Sequence, residues 1–244
     1  MLLPKPWRYA TKAHLSPTIP GMCGRFVMQH HPFELQEWYE AVFMPDAGLH
    51  YNIAPSSRIL TVRDTPEGRA GALMRWGFTP SWAKDPASMP MLNNARAETV
   101  AEKPMFRQAF RRRRCLIPAS GFYEWKAVPG QKSKQPFYIS FKDGTPMSFA
   151  GIWESARSDT GDAIDTCAII TTEANAVLEP IHHRMPLVLD RDDWDVWLGA
   201  EAITAQKFAE LTAPFAADNM QAWGVAHAVN RVANDNPELL RPIA

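Results

Sequence analysis

The chain has 244 residues, 46% hydrophobic and 21% charged, with 26 basic and 26 acidic side chains. That balance excludes low-complexity and collagen-like chains, and zero net charge excludes a bulk polycation, so any polyanion partner must be met by a local patch. No apolar run reaches the roughly 18 residues that span a bilayer, and three cysteines without CxxC spacing fit neither a disulfide framework nor a zinc site, so a soluble cytoplasmic protein without metal is expected.

Residues 1–22 carry Lys5, Arg8 and Lys12, four prolines and no acid. They read as an N-terminal extension that is disordered, untranslated or removed; a transit peptide is opposed by the prolines and the single arginine. Without them the chain holds 23 basic and 26 acidic groups. Residues 23–244 contain no Gly/Ser-rich linker and no fixed-period repeat, and are expected to form a single domain.

The first element is a helix from Pro32 to Phe43, with proline at its first turn and Leu35, Trp38, Tyr39 and Val42 along one face. Ser57 to Val62 reads as a strand. From Lys103 to Arg114 there are six basic residues and no acid, a candidate polyanion patch or simply a solvated face. Strands follow at Cys115 to Ile117 and Gly121 to Trp125. PFYISF, Lys142-Asp143-Gly144 and TPMSFAGIW then form the clearest hairpin pattern. Thr166 to Thr171 is a further strand. A helix starts at Asp190, whose side chain suits a cap, and ends near Gly199, and another spans Thr204 to Leu211. Strands outnumber helices without βαβ alternation, which indicates an α+β fold: a mostly antiparallel sheet or open barrel core with a few flanking helices.

Reactive groups concentrate in four segments: Met22-Cys23-Gly24-Arg25-Phe26, Asn93-Asn94-Ala95-Arg96-Ala97-Glu98-Thr99, Gly121-Phe122-Tyr123-Glu124-Trp125 and Ile181-His182-His183-Arg184-Met185-Pro186. Together they supply a thiol, an amide, a carboxyl and an imidazole, the inventory of a nucleophilic site. With Tyr51-Asn52-Ile53-Ala54-Pro55, Arg75-Trp76-Gly77-Phe78, Cys115-Leu116-Ile117-Pro118, Phe149 to Glu154 and Val229-Asn230, in that order along the chain, they resemble the SOS response-associated peptidase family, the abasic-site crosslinking proteins, from Met22 to Pro242.

The resemblance implies that Cys23 is the nucleophile, Asn94 positions its amine, Glu124 is the acid/base carboxyl and His182 assists opening of the sugar. It implies a partner, single-stranded DNA containing abasic sites, and an autoproteolytic potential that releases residues ahead of the cysteine. Monomeric action and no cofactor are expected. Arg25, Arg96 and Arg184, each near a candidate catalytic residue, suit contacts to flanking phosphates. Pro55 and Trp76 read either as a platform for unstacked bases or as loop and core packing. Cys115 and Cys167, in apolar strand patterns, read as small core residues.

The chemistry is consistent with elementary pKa values. An α-amine near 7.7 to 8.0 is partly neutral at physiological pH, so it adds to the aldehyde of an opened abasic sugar, and the thiol of the same residue then closes a thiazolidine. An internal Cys23 holds its nitrogen in an amide and cannot begin. The full-length chain is therefore expected to be inactive in crosslinking until Cys23 is terminal, by translation from Met22 or by cleavage after it, the first being favoured. Two other readings stay open: a conventional thiol peptidase or amidase, since Cys23, His182 and Asn230 follow a papain-like order, and a non-covalent single-strand binder.

Overall fold

The computed structural model describes residues 23–83, 89, 91–157 and 162–243; the expected extension, residues 1–22, lies outside them. In chain order the elements are β1 (Phe26–Met28), α1 (Pro32–Trp38), β2 (His50–Ile53), β3 (Arg58–Thr65), β4 (Gly68–Trp76), β5 (Asn94–Arg96), α2 (Ala97–Val100), α3 (Arg107–Arg112), β6 (Arg114–Ala119), β7 (Gly121–Lys126), β8 (Gln135–Phe141), β9 (Met147–Arg157), β10 (Ala163–Glu173), β11 (Arg184–Pro186), α4 (Trp194–Leu198), α5 (Ala205–Leu211) and β12 (Met220–Gly224). This is the strand-rich α+β fold expected from the sequence.

One sheet runs β12-β8-β7-β1-β2, antiparallel throughout. In the other, the pairings β3–β4, β3–β6, β6–β9, β9–β10 and β10–β4 return on themselves and close a five-stranded barrel, antiparallel except at β10–β4. Closure explains why the apolar stretch in β6 is not interrupted by outward polar positions: all six of its residues are buried. An aromatic core lies between the sheets, where Phe26 of β1 meets Trp76 of β4 edge-on at 5.2 Å and Phe149 of β9 at 6.2 Å.

The expected hairpin around Lys142-Asp143-Gly144 does not form. The turn is present, with Gly144 at φ +75, but β8 pairs with β7 and β12 while β9 pairs with β6 and β10. The connection is a corner between sheets. Lys142 N bonds Asn219 O at 3.0 Å, and Asp143 accepts from Thr145 N at 3.0 Å and from its hydroxyl at 2.8 Å, so the chain turns away from β8 before β9 begins.

Two helical expectations are also shortened. Helix α1 stops at Trp38 because Glu40 takes φ +51, leaving Val42 56% exposed while Leu35 and Tyr39 are buried. Asp190 precedes a 3₁₀ turn, but its side chain makes no cap bond; Asp193 N bonds the Asp190 carbonyl at 3.1 Å instead. The basic run divides by role. Arg111 and Arg112 are exposed, Arg113 pairs with buried Glu154 at 2.6 Å, and Arg114, 4% exposed, donates to the carbonyls of Phe110, Arg111, Trp197, Gly199 and Glu201. Arg114 is thus a clamp on α4 and its following loop, unable to reach a polyanion. Among the described residues no helix is long and apolar enough to cross a membrane.

Candidate active site

Strands β1 and β7 set the first two groups. Phe26 pairs with Phe122 and Tyr123 N bonds Arg25 O at 3.0 Å, so the antiparallel register carries the segment just before β1 alongside Glu124. There the Cys23 backbone nitrogen donates to Glu124 Oε1 at 2.6 Å. Both residues are 3% exposed, which settles the direction that sequence left open: the Glu124 carboxyl points inward. Cys23 holds φ +45, a left-handed conformation rare outside glycine and typical of constrained functional positions.

The two side chains perturb each other. Burial pushes the Cys23 thiol well up, and the Glu124 charge and hydrogen bond add to that, while Arg184 acts in the opposite sense. Burial also pushes the Glu124 carboxyl up, opposed by the charge of His182 and by hydrogen bonds from Cys23. The arrangement favours a neutral thiol beside a carboxyl that keeps its proton to higher pH than a solvated glutamate.

His182 comes from the turn between β10 and β11. Asn175 organises that turn, its Oδ1 accepting from Val177 N and Leu178 N at 3.2 and 3.1 Å, and His182 N closes it on Leu178 O at 2.8 Å. The His182 Nδ1 lies 3.2 Å from both Arg184 N and Arg184 O. Depending on the tautomer, Nδ1 accepts from the N–H or donates to the carbonyl, so the backbone of one residue holds the ring either way. His183 is exposed and its ring tilts over His182 at 4.5 Å.

Asn94 opens β5 opposite Ile169 of β10, and Arg96 closes it opposite Thr171, beside the β10–β11 pairing that carries Arg184. Asn94 is half-buried and Arg96 exposed. Arg25 is fixed by bonds to Asn52 Oδ1 and Val229 O, both 2.9 Å. Asn52, 4% exposed, in turn donates to the carbonyls of Val229, Arg231 and Asn234, so the C-terminal segment braces the residue two positions after Cys23.

Two sequence expectations are corrected. Trp76 offers no stacking face: it is fully buried, its Nε1 donating to Asn93 O at 2.9 Å and its ring packed on Phe26. Arg184 does not point outward; it is 7% exposed and its guanidinium bonds Glu98 and the Thr171 carbonyl. The aromatic that sequence reasoning passed over is Trp82, 60% exposed on the loop whose base is the Phe78–Leu92 bridge. At that base Met91, 49% exposed, accepts from the Ser56 hydroxyl at 3.5 Å, next to half-buried Pro55. A tryptophan directly after Thr79-Pro80-Ser81, outside any strand pattern, was the available signal. Among the described residues no three His, Cys, Asp or Glu side chains converge as a metal site.

The site on this α+β barrel thus joins the Cys23 nitrogen to a buried carboxyl on which the His182 charge also bears. Residues 22–232 match the family described as SOS response associated peptidase (SRAP). The chain is 40% identical over 223 residues to the abasic site processing protein YoqW of Bacillus subtilis, covering 90% of this chain and 99% of that one. It is 38% identical over 227 residues to the abasic site processing protein YoaM of the same organism, with 90% and 97% covered. A crystal structure of a protein from Bacteroides thetaiotaomicron matches with a TM-score of 0.78 at 25% identity, over 91% of this chain and 100% of that chain. The chain belongs to the SOS response associated peptidase family.

Proposed function

We propose that this protein processes abasic sites in single-stranded DNA by trapping the sugar aldehyde on Cys23. The observation that carries the reading is the 2.6 Å contact between the Cys23 nitrogen and Glu124 in a buried site, and the relatives named abasic site processing proteins support the substrate.

Once the Cys23 nitrogen is a free amine, Glu124 accepts its surplus proton and the nitrogen attacks the aldehyde carbon. The carbinolamine then loses its hydroxyl as water, the proton coming from Glu124, and the resulting iminium returns its N–H proton to Glu124 to leave an imine. The Cys23 sulfur adds to the imine carbon and the thiol proton passes to the ring nitrogen. The sum is amine, thiol and aldehyde going to thiazolidine and water, with no redox change and no cofactor. His182 moves protons during opening of the hemiacetal. Asn94 orients the amine, and Arg25 and Arg96 meet phosphates at the rim.

With residues 1–22 attached, the nitrogen at Glu124 is an amide. A carboxyl that keeps its proton there suits protonation of a departing amine, so the autoproteolytic reading of the family is favoured by the same contact: the thiol displaces the amine as a thioester, and water releases the preceding carboxylate.

The direct test compares protein beginning at Cys23 with the 244-residue chain on a denaturing gel against an abasic oligonucleotide. An adduct that survives denaturant is expected only when Cys23 is terminal; its formation by a chain whose mass retains residues 1–22 would sink the mechanism. The two tryptophans should separate cleanly in the same protein. Trp76→Ala is expected to lower stability by about 3–5 kcal/mol through a core cavity. Trp82→Ala should leave the melting transition in place and weaken single-strand affinity by about 1–3 kcal/mol if one base stacks on it, measured by fluorescence anisotropy.

A further inference from the structure

We propose that Glu98 is a positioning residue of this site: it holds the Arg184 guanidinium in one orientation and through Arg184 fixes the backbone that holds the His182 ring. The roles of Cys23 and His182 come from the reading above; the part played by Glu98 is measurable without DNA.

The geometry is a relay. Glu98 lies on α2, two residues beyond Arg96, and each of its carboxylate oxygens accepts from a different Arg184 nitrogen, Oε2 from Nη2 at 3.0 Å and Oε1 from Nη1. Nη2 also donates to Thr171 O at 2.6 Å. A guanidinium held at two carboxylate oxygens and a carbonyl has one orientation. The same residue's N–H meets His182 Nδ1 at 3.2 Å, so the imidazole is held by a residue whose side chain is itself anchored. The Arg184 side chain is 8% exposed and that of Glu98 is 48% exposed, which makes the glutamate the outer end of a rod whose inner end is the site.

Nearby acids do not duplicate it. Glu98 lines a cavity of about 750 Å³ between α2, α3 and α5 together with Glu102, Glu173 and Arg111, and of these only Glu98 bonds Arg184 among the described residues. The charges that bear on the thiol are Glu124 of β7, which opposes ionisation, and Arg184 of β11, which favours it. Those that bear on Glu98 are Arg184 and Arg96, and Arg184 holds its carboxyl below the usual range. His182, exposed His183 and Glu173, the cross-strand partner of Arg184, are the neighbouring titratable groups among the described residues. Glu98 therefore partly neutralises the guanidinium whose charge bears on the thiol, and its removal leaves that guanidinium without its carboxylate partner.

The sign follows directly. An uncompensated Arg184 favours the thiolate, so Glu98→Gln should shift the pH profile of Cys23 alkylation to lower pH. The experiment treats the 244-residue chain with iodoacetamide across pH and follows the Cys23 peptide by mass spectrometry, with the fully buried Cys115 and Cys167 as folding controls. On the rising limb, Glu98→Gln is expected to alkylate about 3- to 10-fold faster than wild type at the same pH, since one pKa unit is a tenfold change in thiolate. Glu98→Asp, which keeps the charge, should return the profile towards wild type. A Gln profile superimposable on wild type would overturn the proposal, as would a rise of all three cysteines together, which would mark Glu98 as merely structural. Absence of a DNA adduct from the same variants prepared to begin at Cys23 would count against the crosslinking reading and leave the thiol result standing.

Discussion

In protein beginning at residue 23, Cys23→Ala is expected to abolish the denaturant-stable adduct with abasic single-stranded DNA while leaving the fold intact. The alanine variant still presents an α-amine beside Glu124, so it can form the imine. What it lacks is the second atom. Without a sulfur on the same residue the imine stays open to hydrolysis, and the ring closure, whose effective molarity reaches about 10⁵ M or more for well-oriented groups, cannot occur. Borohydride should therefore rescue an adduct in Cys23→Ala, because reduction fixes the imine, whereas the wild type needs no reductant. Cys23→Ser should sit between the two, closing a weaker oxygen ring. A stable adduct from Cys23→Ala without reductant would show that the sulfur has no part in it. The loss of one buried sulfur should cost only on the order of 1 kcal/mol, so melting curves separate a chemical defect from a folding one.

Much of this site was legible because each motif occupies one short stretch whose register the strand pattern fixes. Cys23 and Glu124 meet through a β1–β7 pairing of a few residues, and His182 and Arg184 are two positions apart on one turn. What sequence could not give was facing. Glu124 lies among Phe122, Tyr123 and Trp125, a run compatible with either sheet face; only the packed structure places its carboxyl inward. Trp76 and Trp82 show the same limit in reverse. Both follow polar residues, yet Trp76 ends a barrel strand and is swallowed by the aromatic core, whereas Trp82 lies past the Thr79-Pro80 turn and stays outside. Arg184 looked like a phosphate contact because its partner Glu98 is 86 positions away in sequence, a long-range ion pair that no local pattern announces. The false hairpin at Lys142 to Gly144 has a related cause: turn chemistry specifies that the chain turns, while pairing depends on which edge is free, and closing the barrel draws β9 to β6 and β10.

Glu124→Gln should produce the other large effect, a fall of about 10² to 10⁴ in the rate of adduct formation with DNA affinity little changed. The amide preserves shape, and its carbonyl oxygen can still accept from the Cys23 nitrogen at the 2.6 Å position. It cannot take up or give back a proton, and each bond change in the proposed sequence needs one moved at that nitrogen or at the carbinolamine hydroxyl. Burial pushes the Glu124 carboxyl up, so the wild-type rate should fall on the alkaline side as this acid ionises above its ordinary range; the Gln profile should lose that limb. Stability should move the other way. A carboxyl whose folded pKa is raised contributes fully below its unfolded value and loses that contribution as pH rises through the folded one. An uncharged glutamine at the same place escapes the loss, so the Gln variant should melt no lower than wild type at neutral pH and relatively higher as pH increases. Slow chemistry in a protein whose stability relative to wild type grows with pH would identify Glu124 as a group kept buried for proton transfer. A full crosslinking rate in Glu124→Gln would transfer that task to His182.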